Sequence, residues 1–207
     1  KIPVEDYYVD DTNEGQGTHY QFGMEDMDMV LQGVRHSRKR STRSIGMGLS
    51  DRTTWIFEAL NDHPIKGKNV VIFGSMEPVY EMICVDYGAK SVLTVEYNAL
   101  TFEHARVATI KAQEFAEKIE SEYQGHFDVA LSISSFDHDG LGRYGDPVRP
   151  DGDLEAMKTV RAVIKPTGKF IFSVPVGPDV VAWNLHRRYG RLRLPMILKV
   201  YTQAHAY

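Results

Sequence analysis

Apolar residues in the middle of the chain fall in short runs separated by longer amphipathic stretches. NVVIF (69–73) is a continuous apolar run, as expected of a strand buried on both faces. The next segment, 78–87, fits a helix stopped by Gly88, and SVLTVE (91–96) fits a second strand. A helix is expected over 99–105, a short third strand at VATI (107–110), and another helix over 112–122. FDVALSIS (127–134) predicts a strand, and Asp153 to Ile164 a helix ended by the Pro166–Gly168 turn. KFIFSVPV (169–176) predicts the next strand. A short helix over 185–190 and a last strand at MILKVY (196–201) complete this part.

The first quarter is less regular. Residues 1–23 are polar and acidic with Gly15, Gly17 and Gly23, and predict an irregular arm unless a later part of the fold covers them. A short helix is expected over 24–34. Asp51 fits the cap of a helix through about Leu60, with Trp55, Ile56, Ala59 and Leu60 on one face, closed by Pro64 and Gly67.

Strands alternating with helices imply right-handed crossovers. The expected class is α/β, Rossmann-like, with a doubly wound, mostly parallel sheet and helices on both faces. The expected division is an arm with a short helix and a basic run at 1–50, then the α/β domain at 51–207. In such sheets ligands sit beyond the carboxyl ends of the strands. Four strand ends are therefore candidates: 74–78, 96–98, 132–153 and 175–186.

Composition narrows the function. A net charge of −4 argues against non-specific nucleic-acid binding. The basic run of Arg35, Arg38, Lys39, Arg40 and Arg43 reads as a solvated face or an anion patch, and no aromatic stacking platform accompanies it. Cys84 is the only cysteine, so an intramolecular disulfide and a multi-thiolate zinc site are excluded. No apolar run approaches the roughly 20 residues of a membrane span. The chain starts at Lys1, which is compatible with a cytoplasmic soluble domain or with one released from an upstream anchor.

At the first strand end, Gly74 supplies one glycine of the dinucleotide fingerprint G-x-G-x-x-G. Ser75 and Pro78 stand where others would be. At the second, Glu96 follows about 20 residues on and is placed to accept bonds from ribose hydroxyls, with Tyr97 beside it. The third is SSFDHDGLGRYGDPVRPDGD (134–153). In it Asp137 and His138 form an acid–imidazole pair, and Gly140, Gly142 and Gly145 allow a lid that folds back over a ligand. Asp146, Asp151 and Asp153 with His138 could ligate a hard cation, although the calcium spacing D-x-D-x-D-G is absent. Asp151 or Asp153 also fits a helix cap. The fourth carries Asn184, His186, Arg187, Arg188, Tyr189 and Arg191, a set suited to an anionic or hydroxylated substrate.

The order of elements, with Gly74, Glu96 and K-P-x-G-x-F-I-F-S-V-P (165–175), resembles class I methyltransferases that use S-adenosylmethionine. VIFGSMEPVYEMICVDYGAKSVLTVEYN, DHDGLGRYGDPVRPDGD and VPVGPDVVAWNLHRRYGRLRLP resemble, more closely, the family catalogued as domain of unknown function 268. The first resemblance implies S-adenosylmethionine as cofactor. Its methionine end would lie at Gly74, Ser75 and Pro78, its ribose at Glu96 and Tyr97, and Ser134 would wall the sulfonium. The expected reaction is O-methylation of a small-molecule or glycan hydroxyl. His138 is the expected base, Asp137 orients it, and His186 is the second choice. Arg143, Tyr144, Asp146, Asn184 and Arg187 are expected to position substrate. Two other readings stay open: a module that binds a nucleotide-sugar or glycan, and metal-assisted hydrolysis using Asp146, Asp153 and His138.

Overall fold

The computed structural model describes residues 1–14, 17–40, 54–199 and 201. Among them the chain runs β1 (Val4–Asp6), β2 (His19–Phe22), α1 (Met24–Arg40), α2 (Thr54–Asp62), β3 (Asn69–Phe73), α3 (Val79–Asp86), β4 (Ser91–Glu96), β5 (Ala99–Phe102) and β6 (Val107–Lys111). It continues as α4 (Ala112–Lys118), β7 (Phe127–Ile133), α5 (Gly152–Val163), β8 (Ile164–Ser173), β9 (Val180–Trp183), β10 (His186–Arg188) and α6 (Leu194–Leu198). A π-helical turn, Ile119–Tyr123, continues α4.

The main sheet has five parallel strands in the order β6-β4-β3-β7-β8. Side chains of β3 alternate between two cores because successive strand residues point to opposite faces. Val70 and Ile72 pack with Met27, Leu31, Ile56, Leu60 and Met82 from α1, α2 and α3. Val71 and Phe73 pack with Phe115, Met157, Val160 and Ile197 from α4, α5 and α6. Helices therefore cover both faces, and each fully buried Leu, Ile or Phe is worth about 1.5–3 kcal/mol. The chain winds outward from β3 to β4 and β6, then returns to β7 and β8. The topological switch point lies between β3 and β7.

The structure differs from the sequence pattern at several places, including strand β9, which the sequence did not predict, and β8, which runs through the expected Pro166–Gly168 turn. The stretch 1–23 contributes strands: β1 pairs in parallel with β9, and β2 with β5. Residues 99–102 are strand β5 and not helix, because β2 offers them a ladder from His19↔Ala99 to Phe22↔Phe102. Residues 186–188 are strand β10, which folds antiparallel onto β9. The last predicted strand is instead helix α6, with Pro195 in its first turn, a position where a missing N–H costs nothing. Tyr201 follows it, packs on Phe170 and donates to Met157 O at 3.2 Å. The helix expected over 24–34 extends to Arg40. Asp51 and Arg43 lie outside the described residues.

The basic run is partly neutralised. Arg35 Nε and Arg38 Nη1 lie 3.1 and 2.8 Å from the two oxygens of Asp86. Arg38 also stacks over the Tyr87 ring at 4.0 Å. No described helix is long and apolar enough to cross a membrane.

Candidate active site

A cleft of about 830 Å³ opens beyond the carboxyl ends of β3, β4 and β7. Gly74 ends β3, with φ +72° and its N–H donating to Val95 O at 3.0 Å. A Cβ at Gly74 would collide with Ser135 Oγ, so glycine is required there by a protein side chain. Gly74 and Ser134 line the cleft. Ser75 and Pro78, expected at the cofactor's methionine end, lie outside this lining. Ser75 is buried, with its hydroxyl 2.9 Å from Glu77 O and 3.1 Å from Glu81 Oε2, and Pro78 occupies the N-cap position of α3.

Glu96 ends β4 and is only 6% exposed. Its Oε1 accepts the backbone N–H of Tyr97 at 2.8 Å and, more distantly, that of Asn98. Its Oε2 accepts no bond among the described residues, and the residue lines the cleft. Burial holds its carboxyl above the usual range, against those two amide bonds. Tyr97 lines the cleft beside it, and Phe115, Ala116 and Ile119 form an apolar wall.

The loop 134–153 is braced from within and from β10. Asp146, 5% exposed, accepts the N–H groups of Gly140 (2.7 Å), Gly142 (3.1 Å) and Tyr144 (3.3 Å). Gly140 has φ +79°, and a Cβ there would run into Arg149 O. Arg187, 2% exposed, reaches up from β10 and donates to Asp139 O at 2.5 Å and Arg149 O at 3.3 Å. Asn184 brackets Val9, accepting its N–H at 2.7 Å and donating to its carbonyl at 2.8 Å. Arg143 Nε pairs with Asp11 at 2.6 Å. Asp146, Asn184 and Arg187, expected to position substrate, are thus buried braces of the loop and the arm. Arg143 is held by Asp11, and of the five residues only Tyr144 lines the cleft.

His138 lines the cleft. Nδ1 lies 2.5 Å from Leu185 O, a carbonyl that can only accept, so Nδ1 carries a proton. Nε2 lies 3.4 Å from Asp137 Oδ2 without a hydrogen bond between them. Asp137 is 1% exposed, and neither of its oxygens has a hydrogen-bond partner. Burial pushes its carboxyl up, against the pull of His138, His186 and Arg187. Nδ1 is thus held by Leu185 O, while Nε2 makes no hydrogen bond among the described residues. The His186 ring stands 6.3 Å from that of His138, outside the cleft lining, and burial lowers its basicity.

Three carboxyls line the cleft, Glu96, Asp139 and Glu155, and Asp139 is the one in the loop after β7. No side-chain bond is made to it among the described residues. Burial and the charge of Asp146 push it up to about 8, with Arg187 opposing. The sequence does not single it out from Asp137 or Asp146, since what distinguishes it is its place in the cleft lining. Ser135, within the 134–138 stretch expected to wall the site, lines the cleft, and so does Arg149, which the sequence did not single out. Asp153 is no metal ligand: it is fully buried, paired with Arg193 through both oxygens, and bonded by Tyr189 OH at 2.9 Å. Among the described residues no three His, Cys, Asp or Glu side chains form a group able to hold a metal ion.

The sequence model of the family described as "Caenorhabditis protein of unknown function, DUF268" matches residues 67–207. No curated protein sequence matches the chain. Among solved structures, an S-adenosylmethionine dependent methyltransferase from Mesorhizobium loti is similar at 18% identity and a TM-score of 0.40, over 57% of this chain and 52% of that one. The PH0226 protein of Pyrococcus horikoshii is similar at 22% identity and a TM-score of 0.41, over 67% and 64%. The chain thus spans less than two thirds of the length of either protein. Neither likeness carries an argument about the site.

Proposed function

The chain belongs to the DUF268 family, whose description leaves its activity open, and on that premise we propose that it is an S-adenosylmethionine-dependent O-methyltransferase acting on a small-molecule or glycan hydroxyl. The observation that carries this reading is Glu96. A carboxylate at the end of the second sheet strand, buried yet with one oxygen unsatisfied, faces a cleft large enough for a nucleoside and an acceptor.

The residues fit the cofactor at its ribose end, through Glu96, and at its ring, through the apolar wall of Phe115, Ala116 and Ile119. At Gly74 the fit differs from a glycine-rich cradle, because Ser135 occupies the close approach and would itself offer the polar contact there. When bound, S-adenosylmethionine supplies an electrophilic methyl group. Transfer to a hydroxyl forms an O–C bond, breaks the C–S bond and releases the hydroxyl proton. Asp139 is the residue assigned to take that proton. His138, held by Leu185 O, shapes the wall beside it. In-line placement of the acceptor contributes more to rate than proton removal does.

Ser135 at Gly74 also favours a second reading, a module that binds a nucleotide-sugar without methyl transfer. Thermal unfolding with S-adenosylhomocysteine or UDP-glucose separates the two. A ligand at 100 times its Kd stabilises by about 2.7 kcal/mol. The proposal expects that gain from S-adenosylhomocysteine, whereas a gain from UDP-glucose alone would replace it with the second reading.

A further inference from the structure

A second cavity of about 460 Å³ opens beside the cleft. Met76 and Tyr144 line both spaces, so the two adjoin at these side chains. Its far wall is built by the N-terminal arm, through Asp10, Asp11, Thr18 and Tyr20, and by Asn98 just past β4. The arm is held along its length. Val9 is bracketed by Asn184, Asp11 N donates to Arg143 O at 3.0 Å, and β2 is laddered to β5. The cavity is thus part of the folded molecule.

Its chemistry is selective. Asp11 is balanced by Arg143, and Asp10 Oδ1 accepts both the N–H and the hydroxyl of Thr12. No Lys or Arg lines the cavity, so an anionic ligand has nothing to pair with. Neither carboxylate is both buried and free, so an ammonium gains little. The buried group left to read a ligand is neutral. Asn98 is 6% exposed, its Oδ1 accepts the N–H of Thr18 at 3.2 Å, and its Nδ2 donates to no described residue. Tyr20 and Tyr144 add aromatic faces with hydroxyls. An amide donor, carboxylate acceptors and tyrosine rings suit a ring with apolar C–H faces and many hydroxyls.

We infer that this second cavity is the acceptor subsite and that its ligand is a neutral saccharide, held by Asn98 Nδ2, Tyr20 and Tyr144. The inference rests on the methyltransferase reading and narrows its acceptor. It also gives the arm a purpose: Asp10, Asp11, Asn13, Thr18 and Tyr20 form the subsite's outer wall.

Saturation-transfer NMR on the full chain with S-adenosylhomocysteine present tests it. The probes are lactose, maltose and N,N′-diacetylchitobiose, with sialyllactose and spermidine as charged counterparts. Cofactor affinity is measured in parallel by calorimetry. At least one neutral saccharide is expected to bind. Asn98→Asp, which keeps the Thr18 bond and removes the donor, and Tyr20→Ala, on a half-exposed strand, are each expected to weaken it about tenfold. S-adenosylhomocysteine affinity should stay unchanged in both. Neutral saccharides failing to bind a folded sample, binding equally well to both variants, or being outcompeted by a charged probe would each overturn the subsite. Saccharide binding without cofactor binding would keep the sugar site and remove the methyltransferase reading. Cofactor binding without saccharide binding would do the reverse.

Discussion

Four aspartates of one loop have four different fates. Asp137 is buried against His138, Asp139 faces the cleft, Asp146 caps three backbone N–H groups, and Asp153 is neutralised by Arg193. Residue type and spacing are the same kind of signal for all four, so the sequence pointed to the loop without separating its members. Gly74 and Glu96 were legible because a strand end and a glycine turn leave a local pattern. Asp139 gives the first prediction. Its carboxyl is mostly protonated at pH 7 and ionises near 8, so methyl transfer should rise as pH passes through about 8. Asp139→Asn should flatten that profile and lower turnover by about 10²-fold, measured with labelled methyl transfer. His138→Ala should cost less, and an unaltered pH profile in Asp139→Asn would remove Asp139 as the base.

Glu81, fully buried under β3 and β4, gives a stability counterpart. It accepts Thr94 Oγ1 at 2.7 Å, and burial pushes it from 4.5 to about 7. A raised acid binds more protons when folded. Its contribution is full below 4.5 and is lost as pH rises through about 7. Glu81→Gln should therefore be more stable than the parent above pH 7, by about 3 kcal/mol, with the difference vanishing near pH 4. Urea midpoints across that range check the sign.

At the scale of elements, the buried parallel strands were legible from their apolar runs, and their helices from amphipathic spacing. β1, β2, β5 and β10 were not. Each is short and draws its hydrogen bonds from a partner, which for β1 and β2 lies some 80 to 180 residues away in the chain. A single strand's sequence cannot announce such a partner, since β propensity is largely a report of context. The arm is thus a product of long-range pairing, and its clasp is testable. Asn184→Ala removes both bonds to Val9 and should cost about 1–2 kcal/mol. It should also raise amide exchange at Val9 and Asp11 while the β3 amides stay protected. Unchanged exchange at those two amides would show that the arm is held elsewhere.

Over the whole molecule, the cleft forms where the chain reverses its winding, between β3 and β7, and the C-terminal segment locks its far side. Arg193, just before α6, holds the buried carboxylate of Asp153 on α5. Arg193→Ala leaves that charge with only Tyr189 OH and the more distant Arg187 Nε, 3.9 Å away, and should lower stability by about 3 kcal/mol in urea unfolding. A loss under 1 kcal/mol would mean that Tyr189 and the α5 backbone suffice. The parallel sheet was legible in the alternation of strand and helix, whereas this clasp was not, because Arg191 and Arg193 look alike in sequence.

The central claim is that Glu96 receives a nucleoside cofactor at the end of β4. Calorimetric titration of the chain with S-adenosylmethionine and S-adenosylhomocysteine, repeated on Glu96→Ala, tests it most directly. Micromolar binding that weakens at least about tenfold in the variant is the predicted result. A folded protein that binds neither compound, or a variant that binds as tightly as the parent, would contradict it.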